Sequence, residues 1–99
     1  MSRFHFRPQA LHDLKELITY ISEDSPQAAE RMHDAIIETC KVLADNPLVA
    51  IEADGLTVSG IRRLPVKFFP KYSIFYRVTE TGIEIIRLGF GGRDWNNTL

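Results

Sequence analysis

The sequence predicts an α+β domain in which a helical hairpin covers one face of a small, mostly antiparallel sheet. Three observations lead to this fold class. Apolar residues recur at helical spacing over residues 8–45. Apolar segments typical of strands follow over residues 61–90. Proline, glycine and polar residues separate these segments, and 99 residues suffice for one core, so we expect a single domain spanning residues 1–99.

The N-terminal segment predicts a short strand followed by a helix. Aromatic and polar residues alternate over residues 3–7, as in a half-buried strand. Pro8 ends this strand and suits the first turn of a helix, where a missing N–H group costs nothing. We expect this helix to reach about Ser22, with an apolar stripe that consists of Leu11, Leu14, Leu17, Ile18 and Ile21.

A second helix is predicted to follow almost immediately. Ser25 can cap its N-terminus, and Pro26 has a backbone angle suited to a first helical turn. The helix is expected to run to about Asp45, with apolar residues three or four apart at Ala29, Met32, Ile36, Cys40 and Leu43. Because the link between the two helices is so short, they should pack as an antiparallel hairpin.

The C-terminal half predicts three strands. Residues 47–60 lack clear periodicity and are expected to form a connecting loop. A strand is predicted over Ile61–Val66, where Pro65 favours an edge position or a bulge. Two further strands are predicted within Tyr72–Asp94, joined by a turn at Thr79–Gly82. Their apolar residues lie on both faces, so we expect this hairpin to form the centre of the sheet.

The predicted element order is β-α-α-β-β-β, with both helices on one face of the sheet. We expect the other face to have no cover within this chain, which leaves apolar strand residues for a partner.

The composition is that of an ordinary soluble protein, with 44% hydrophobic and 25% charged residues. We expect neither a membrane span nor a secretory signal, and the single cysteine, Cys40, fits a reducing cytoplasm. The three histidines are scattered without metal-ligand spacing, and no serine or cysteine stands beside a base. The sequence therefore predicts no metal, no cofactor and no nucleophilic catalysis.

Charge is divided unevenly along the chain. Residues 1–58 carry five Lys/Arg and ten acids, a net charge of −5, whereas residues 59–99 carry seven Lys/Arg and three acids, a net charge of +4. This asymmetry predicts a basic C-terminal surface, and either recognition of a partner or ordinary solvation of charged faces would explain it.

The basic residues of the C-terminal half divide into two groups. Arg62, Arg63, Lys67 and Lys71 are expected on the surface, where they could contact an acidic partner. Two mid-strand arginines have apolar neighbours: strand alternation places Arg77 on the face of Ser73 and Phe75, and Arg87 on the face of Ile83 and Ile85.

Two roles are open to these buried or half-buried guanidinium groups. For Arg87 an ion pair with a helix carboxylate is favoured, and the alternative is a partner on the open sheet face. Arg93 and Asp94 could likewise form a structural clasp at the exit of the last strand.

Several segments together carry a resemblance to one known family. In the C-terminal half they are Gly60–Val66, Tyr72–Arg77, Gly82–Arg87 and Gly91–Asp94, and upstream they are Ala10–Leu14, Ile18–Ile21, Ser25–Pro26 and Leu43–Pro47. In this order and spacing the chain resembles the ParE branch of the RelE/ParE toxins, the toxin halves of bacterial type II toxin–antitoxin modules. The resemblance covers nearly the whole chain and implies the same β-α-α-β-β-β fold.

The resemblance implies a cytoplasmic, non-enzymatic toxin that binds DNA gyrase, blocks replication and thereby inhibits growth. It also implies a cognate antitoxin whose C-terminal segment wraps the open sheet and the helices of the toxin in a hetero-oligomer. No sequence-specific nucleic-acid binding and no membrane contact are expected. The residues assigned to contact antitoxin or target are Arg62, Arg63, Lys67, Lys71, Tyr72, Arg77, Arg87, Arg93 and Trp95.

The RelE branch suggests an alternative activity, cleavage of messenger RNA on the ribosome, which would use Arg63, Lys67, Arg77 and Arg93. RelE-like nucleases carry an arginine just after the tyrosine of the penultimate strand and a tyrosine near the C-terminus. This chain has Ser73 at the first position and no tyrosine in its tail, which disfavours cleavage.

A third alternative is a decayed toxin that binds antitoxin alone. Phe90 stands where the ParE branch often has a histidine, before the glycine of its C-terminal motif.

Overall fold

The computed structural model describes residues 3–50, 60–92, 95 and 99 of the chain. The elements in chain order are β1 (Arg3–Phe6), α1 (Pro8–Asp24), α2 (Pro26–Asp45), β2 (Arg62–Val66), β3 (Phe69–Val78) and β4 (Gly82–Phe90). This order and the α+β class confirm the fold predicted from the sequence. Most of the predicted 47–60 loop, together with Arg93 and Asp94, lies outside the described residues.

The two helices are separated by a single residue, Ser25. Its hydroxyl accepts a hydrogen bond from the backbone N–H of Ala28 at 3.1 Å, which caps the N-terminus of α2 as predicted. Its own N–H group still donates to the carbonyl of Ile21 at 3.0 Å, so α1 continues to Asp24 rather than to Ser22. One serine therefore ends one helix and begins the next.

The sheet has the strand order β1-β4-β3-β2, so the β3–β4 hairpin occupies its centre as predicted. β1 runs parallel to β4, because both helices intervene before the chain returns, and the other two pairings are antiparallel. Pro65 lies in the edge strand β2, next to a register shift at Val66, which are the positions that a residue without an N–H group favours in a sheet.

The main core lies between the helices and one face of the sheet. Ile36 and Leu43 of α2 are fully buried there against Ile74 and Tyr76 of β3 and Ile85 of β4. Phe4 and Phe6 of β1 pack against the same cluster. These contacts hold the helical hairpin on the sheet and fix which strand residues face away from it.

The opposite face of the sheet carries a second buried cluster, formed by Ile61, Phe75, Ile86 and Trp95. The rings of Phe75 and Trp95 lie 4.9 Å apart, and Trp95 is only 4% exposed. The expectation that this face has no cover within the chain is therefore wrong. The indole of Trp95 buries the apolar centre of that face.

A β-bulge in β4 changes the face on which Arg87 lies. Tyr76 pairs with Ile85 and Phe75 pairs with Arg87, so Ile86 is an extra residue in β4. The bulge places Arg87 on the face of Phe75 and Trp95 rather than with Ile83 and Ile85, where simple alternation predicted it. Arg77 keeps its predicted face, because the extra residue lies in β4 and the alternation within β3 is uninterrupted.

Within the described residues, no helix combines the length and the apolar character that a membrane crossing requires.

Candidate partner-binding face

The sheet face that turns away from the helices carries an exposed group of charged residues around the second cluster. We define this basic face by His5, Arg7, Arg63, Arg77 and Glu84. Strand alternation brings these five residues to one side: β1 directs its aromatic residues into the main core, and Arg63 is paired with Phe75 of the second cluster. Within the described residues, this surface thus combines three arginines with one carboxylate.

Glu84 is the centre of an ion-pair network on the basic face. Its Oε1 accepts hydrogen bonds from Nε of Arg77 at 2.6 Å and from a terminal nitrogen of Arg7 at 3.2 Å. Its Oε2 lies 3.2 Å from Nε2 of His5. The hydrogen bond from Arg77, aided by His5 and Arg7, lowers the pKa of Glu84 to about 2 against the opposing effect of burial. Glu84 is therefore ionised wherever the protein is folded near neutral pH.

A surface cleft of about 520 Å³ opens beside this network. Of the residues that the structure describes, Arg7 and Arg77 supply its charged side chains. Its apolar lining consists of Ile61, Val78, Ile86 and Leu99, with Gly60 completing the wall. Chemically, the cleft offers guanidinium donors next to apolar side chains.

Arg63 lies on the same face, nearer the other end of β3. Its Nε donates a hydrogen bond to the Ser73 hydroxyl at 3.2 Å, and Ser73 is fully buried whereas Arg63 is exposed. Ser73 therefore orients the guanidinium group of Arg63 through its Nε. The exposed part of Arg63 is available for contacts with a partner.

Arg87 is part of the packing rather than of the exposed basic face. Its guanidinium donates to both carboxylate oxygens of Asp13 on α1, at 2.7 and 2.9 Å, and its Cζ lies 5.1 Å from the Trp95 ring. The hydrogen bonds that Arg87 donates to Asp13 raise the pKa of Arg87 despite the opposing effect of burial. The same carboxylate accepts the backbone N–H of Leu88 at 3.2 Å. The internal ion pair expected for Arg87 is thus present, and its 7% exposure removes it from the accessible residues.

Arg62 also has an internal role, contrary to its predicted surface position. It is half-buried and donates a hydrogen bond to the backbone carbonyl of Ala50. Next to it, the Tyr76 hydroxyl donates to the carbonyl of Pro47 at 2.7 Å. Arg62 and Tyr76 therefore tie the segment after α2 to β2 and β3, because the pairing of these two residues brings them to the helix side of the sheet.

The remaining predicted residues are spread over the molecule. Lys67 and Lys71 are exposed, and Nζ of Lys67 lies 5.2 Å from the centre of the Phe68 ring. Tyr72 is half-buried against the main core, with its ring edge-on to Phe90. Trp95 is buried and its indole N–H donates to the Phe90 carbonyl at 3.1 Å, so its ring belongs to the packing. Arg93 lies outside the described residues.

The sequence-based prediction missed His5, Arg7 and Glu84. The alternation in residues 3–7 did place His5 and Arg7 on a solvent-facing side, but nothing local indicated that β1 would pair with β4. Glu84 is an acid with apolar neighbours on both sides in its strand, and such a residue is itself a signal that cations lie opposite. Long-range pairing supplied the partners that the sequence alone does not show.

Comparisons with known proteins agree with this architecture. The family model described as the ParE toxin of the type II toxin–antitoxin system parDE matches residues 4–95. Among solved structures, a chain of the "Chromosomal ParDE TA system from P. aeruginosa" has the same fold, with a TM-score of 0.73 and 24% sequence identity. That similarity covers 91% of this chain and 96% of the other. The comparison with curated proteins gave no match.

Proposed function

Because this chain belongs to the ParE toxins of type II toxin–antitoxin systems, we propose that it binds and inhibits DNA gyrase and is neutralised by a cognate antitoxin. In this proposal the toxin acts in the cytoplasm, by binding and without catalysis. The exposed basic face provides a contact surface for both partners, because guanidinium groups suit carboxylate and phosphate groups alike.

Ser73 is the observation that carries the choice of binding over RNA cleavage. It stands in the sheet where the RelE-like nucleases have an arginine, it is fully buried, and it accepts a hydrogen bond from Arg63. Cleavage through a 2′-hydroxyl needs a group that moves a proton beside a group that stabilises the phosphate. A buried serine bound to Arg63 supplies neither of these functions to a phosphate on the surface.

The hydrogen bond between Arg77 and Glu84 also supports binding over RNA cleavage. Arg77 belongs to the set that the nuclease alternative would use, and its Nε is held by Glu84 at 2.6 Å. A carboxylate next to the reacting phosphate would repel it, whereas a protein partner can bring its own charges to the same place.

A supercoiling assay tests the proposal. Purified toxin, added to DNA gyrase and relaxed plasmid, is expected to prevent supercoiling in a dose-dependent way, and prior addition of the antitoxin should restore it. Arg63→Gln should weaken inhibition about tenfold if Arg63 contacts gyrase through a charged hydrogen bond. The matched control is Lys15→Gln, which removes an exposed cation from α1 and should change inhibition little.

Two results would contradict the proposal. Intact supercoiling together with cleaved transcripts in a translating extract would establish the nuclease alternative. Intact supercoiling, intact transcripts and unimpaired growth after expression without antitoxin would establish a decayed toxin.

A further inference from the structure

The cleft beside Glu84 combines a charged rim with an apolar floor. Arg7 and Arg77 line one side, and their side chains are 43% and 52% exposed. Ile61 and Ile86, which belong to the second cluster, line the floor. A ligand that fills this cleft must therefore present an anionic group and an apolar group close together.

Charge is not balanced at this cleft. Two guanidinium groups share a single oxygen of Glu84, at 2.6 Å from Arg77 and 3.2 Å from Arg7. Among the described side chains, two positive charges thus face one negative charge. Each guanidinium carries several N–H donors, and the contact with Glu84 uses one nitrogen of each arginine. The remaining donor capacity at the exposed rim is suited to a second carboxylate.

We infer that this cleft binds a carboxylate side chain of the cognate antitoxin together with an adjacent apolar side chain, and that Glu84 competes internally for the two arginines. The inference rests on the proposed neutralisation by an antitoxin. In the free toxin Glu84 holds Arg7 and Arg77 in place for the incoming carboxylate. It also weakens binding, because it repels that carboxylate and occupies part of the donor capacity.

The apolar floor favours a peptide over a nucleic acid as occupant. A nucleic-acid backbone is contacted by a track of cations that follows successive phosphates. Here Ile61, Val78 and Ile86 lie beside the two arginines, and such side chains match an apolar residue next to an Asp or Glu in a peptide.

The test compares two charge changes of opposite sign in the same network. The probe is the purified cognate antitoxin, and its dissociation constant is measured by calorimetry with purified full-length toxin variants. Arg77→Gln is expected to weaken binding about tenfold to a hundredfold, the range for loss of a charged hydrogen bond. Glu84→Gln is expected to strengthen binding at least about threefold, because the amide keeps the shape of the side chain and removes the competing charge.

Lys41→Gln is the matched control. Lys41 is an exposed cation on α2, which covers the sheet face opposite to the basic face, and it is not among the residues assigned to a partner. Its replacement removes the same charge far from the cleft and should change the dissociation constant less than about twofold. Thermal unfolding of each free variant shows whether the fold is retained.

A structural role for the network would give a different pattern from ligand binding. If Glu84 only stabilised the face, Glu84→Gln and Arg77→Gln would both weaken binding, and the inference would be overturned. Unchanged antitoxin affinity for Arg77→Gln together with lost inhibition of gyrase would assign the cleft to the target and also overturn it. In both cases wild-type binding to the antitoxin leaves the proposed function intact. No binding by the wild-type toxin would overturn the inference and the proposed neutralisation together.

Discussion

At the scale of single residues, the arginines of this chain differ in what they contact. Arg87 is enclosed by the Asp13 carboxylate and the Trp95 ring, whereas Arg77 keeps half of its side chain exposed while it binds Glu84. The sequence context of the two is alike, an arginine within an apolar strand. Burial and geometry therefore decide which arginine stabilises the fold and which can serve a partner.

Replacing Arg87 by alanine is expected to lower the free energy of unfolding by about 3–5 kcal/mol, because the Asp13 carboxylate would remain buried without its cation. Lys67→Ala should cost about 1 kcal/mol or less, since this side chain is exposed. Its backbone N–H, which donates to Thr39, is kept in the variant. Urea unfolding of both variants checks the difference, and equal midpoints would contradict it.

The network around Glu84 predicts a specific dependence of stability on pH. The pKa of this carboxyl falls from 4.5 to about 2 on folding, so its stabilising contribution is complete above pH 4.5 and is lost as the pH falls towards 2. Wild type and Glu84→Gln should therefore differ in unfolding free energy above pH 4.5, and the difference should shrink below it. Parallel pH profiles for the two proteins would show that the carboxylate contributes nothing.

At the scale of the elements, the sequence was sufficient wherever local signals decide the structure. Ser25 and Pro26 identify a helix start, and Pro65 identifies an edge strand, because both effects depend on the backbone of the residue itself. The bulge at Ile86 could not be predicted, since it depends on how β4 meets β3 and the second cluster. This one extra residue accounts for the wrong face assigned to Arg87.

At Gly82 the backbone of β4 lies close against that of β1. A Cβ atom at this position would lie 1.8 Å from the backbone oxygen of Arg3. Gly82→Ala should therefore separate the two strands at this end and lower the unfolding free energy by about 1–3 kcal/mol. Hydrogen exchange of the β1 amides should accelerate, while the main core stays protected.

Gly60→Ala is the control for this prediction, because it lies at φ +81° with nothing within 4 Å of the added Cβ. This variant introduces backbone strain without a steric clash. Hydrogen exchange of the β1 amides should therefore remain as in wild type. Unchanged β1 exchange in Gly82→Ala would contradict the prediction.

At the scale of the whole molecule, the sheet is covered on both faces by the same chain. The helices cover one face, and Trp95 covers the centre of the other. The sequence did not reveal the second cover, because a single aromatic residue after two glycines has no periodicity that could assign it a place. The candidate site was predictable as a basic C-terminal half, but its contribution from β1 required the parallel pairing of β1 with β4.

Trp95→Ala should lower the unfolding free energy by about 3–5 kcal/mol, the usual range for loss of a large buried aromatic side chain. It should also expose Phe75 and Ile86, so binding of a hydrophobic dye by the folded protein is expected to rise. Phe90→Ala is the aromatic control, because Phe90 is 53% exposed. The substitution also keeps the backbone carbonyl of residue 90, which accepts the indole N–H of Trp95. Equal stabilities of the two variants would contradict a structural role for Trp95.

The Asp13 carboxylate has a consequence for the behaviour of the sheet towards other copies of the chain. β1 pairs with β4 only through Ile85, so the edge of β4 would be open at Leu88, but Asp13 accepts the N–H of that residue. The opposite edge, β2, carries Pro65, which has no N–H to offer. The part of β4 beyond β1 and the β2 edge at Pro65 are thus poor templates for an additional strand, and β1, which forms the remaining border, is only four residues long. We therefore expect the toxin to resist edge-to-edge aggregation even when no antitoxin is bound.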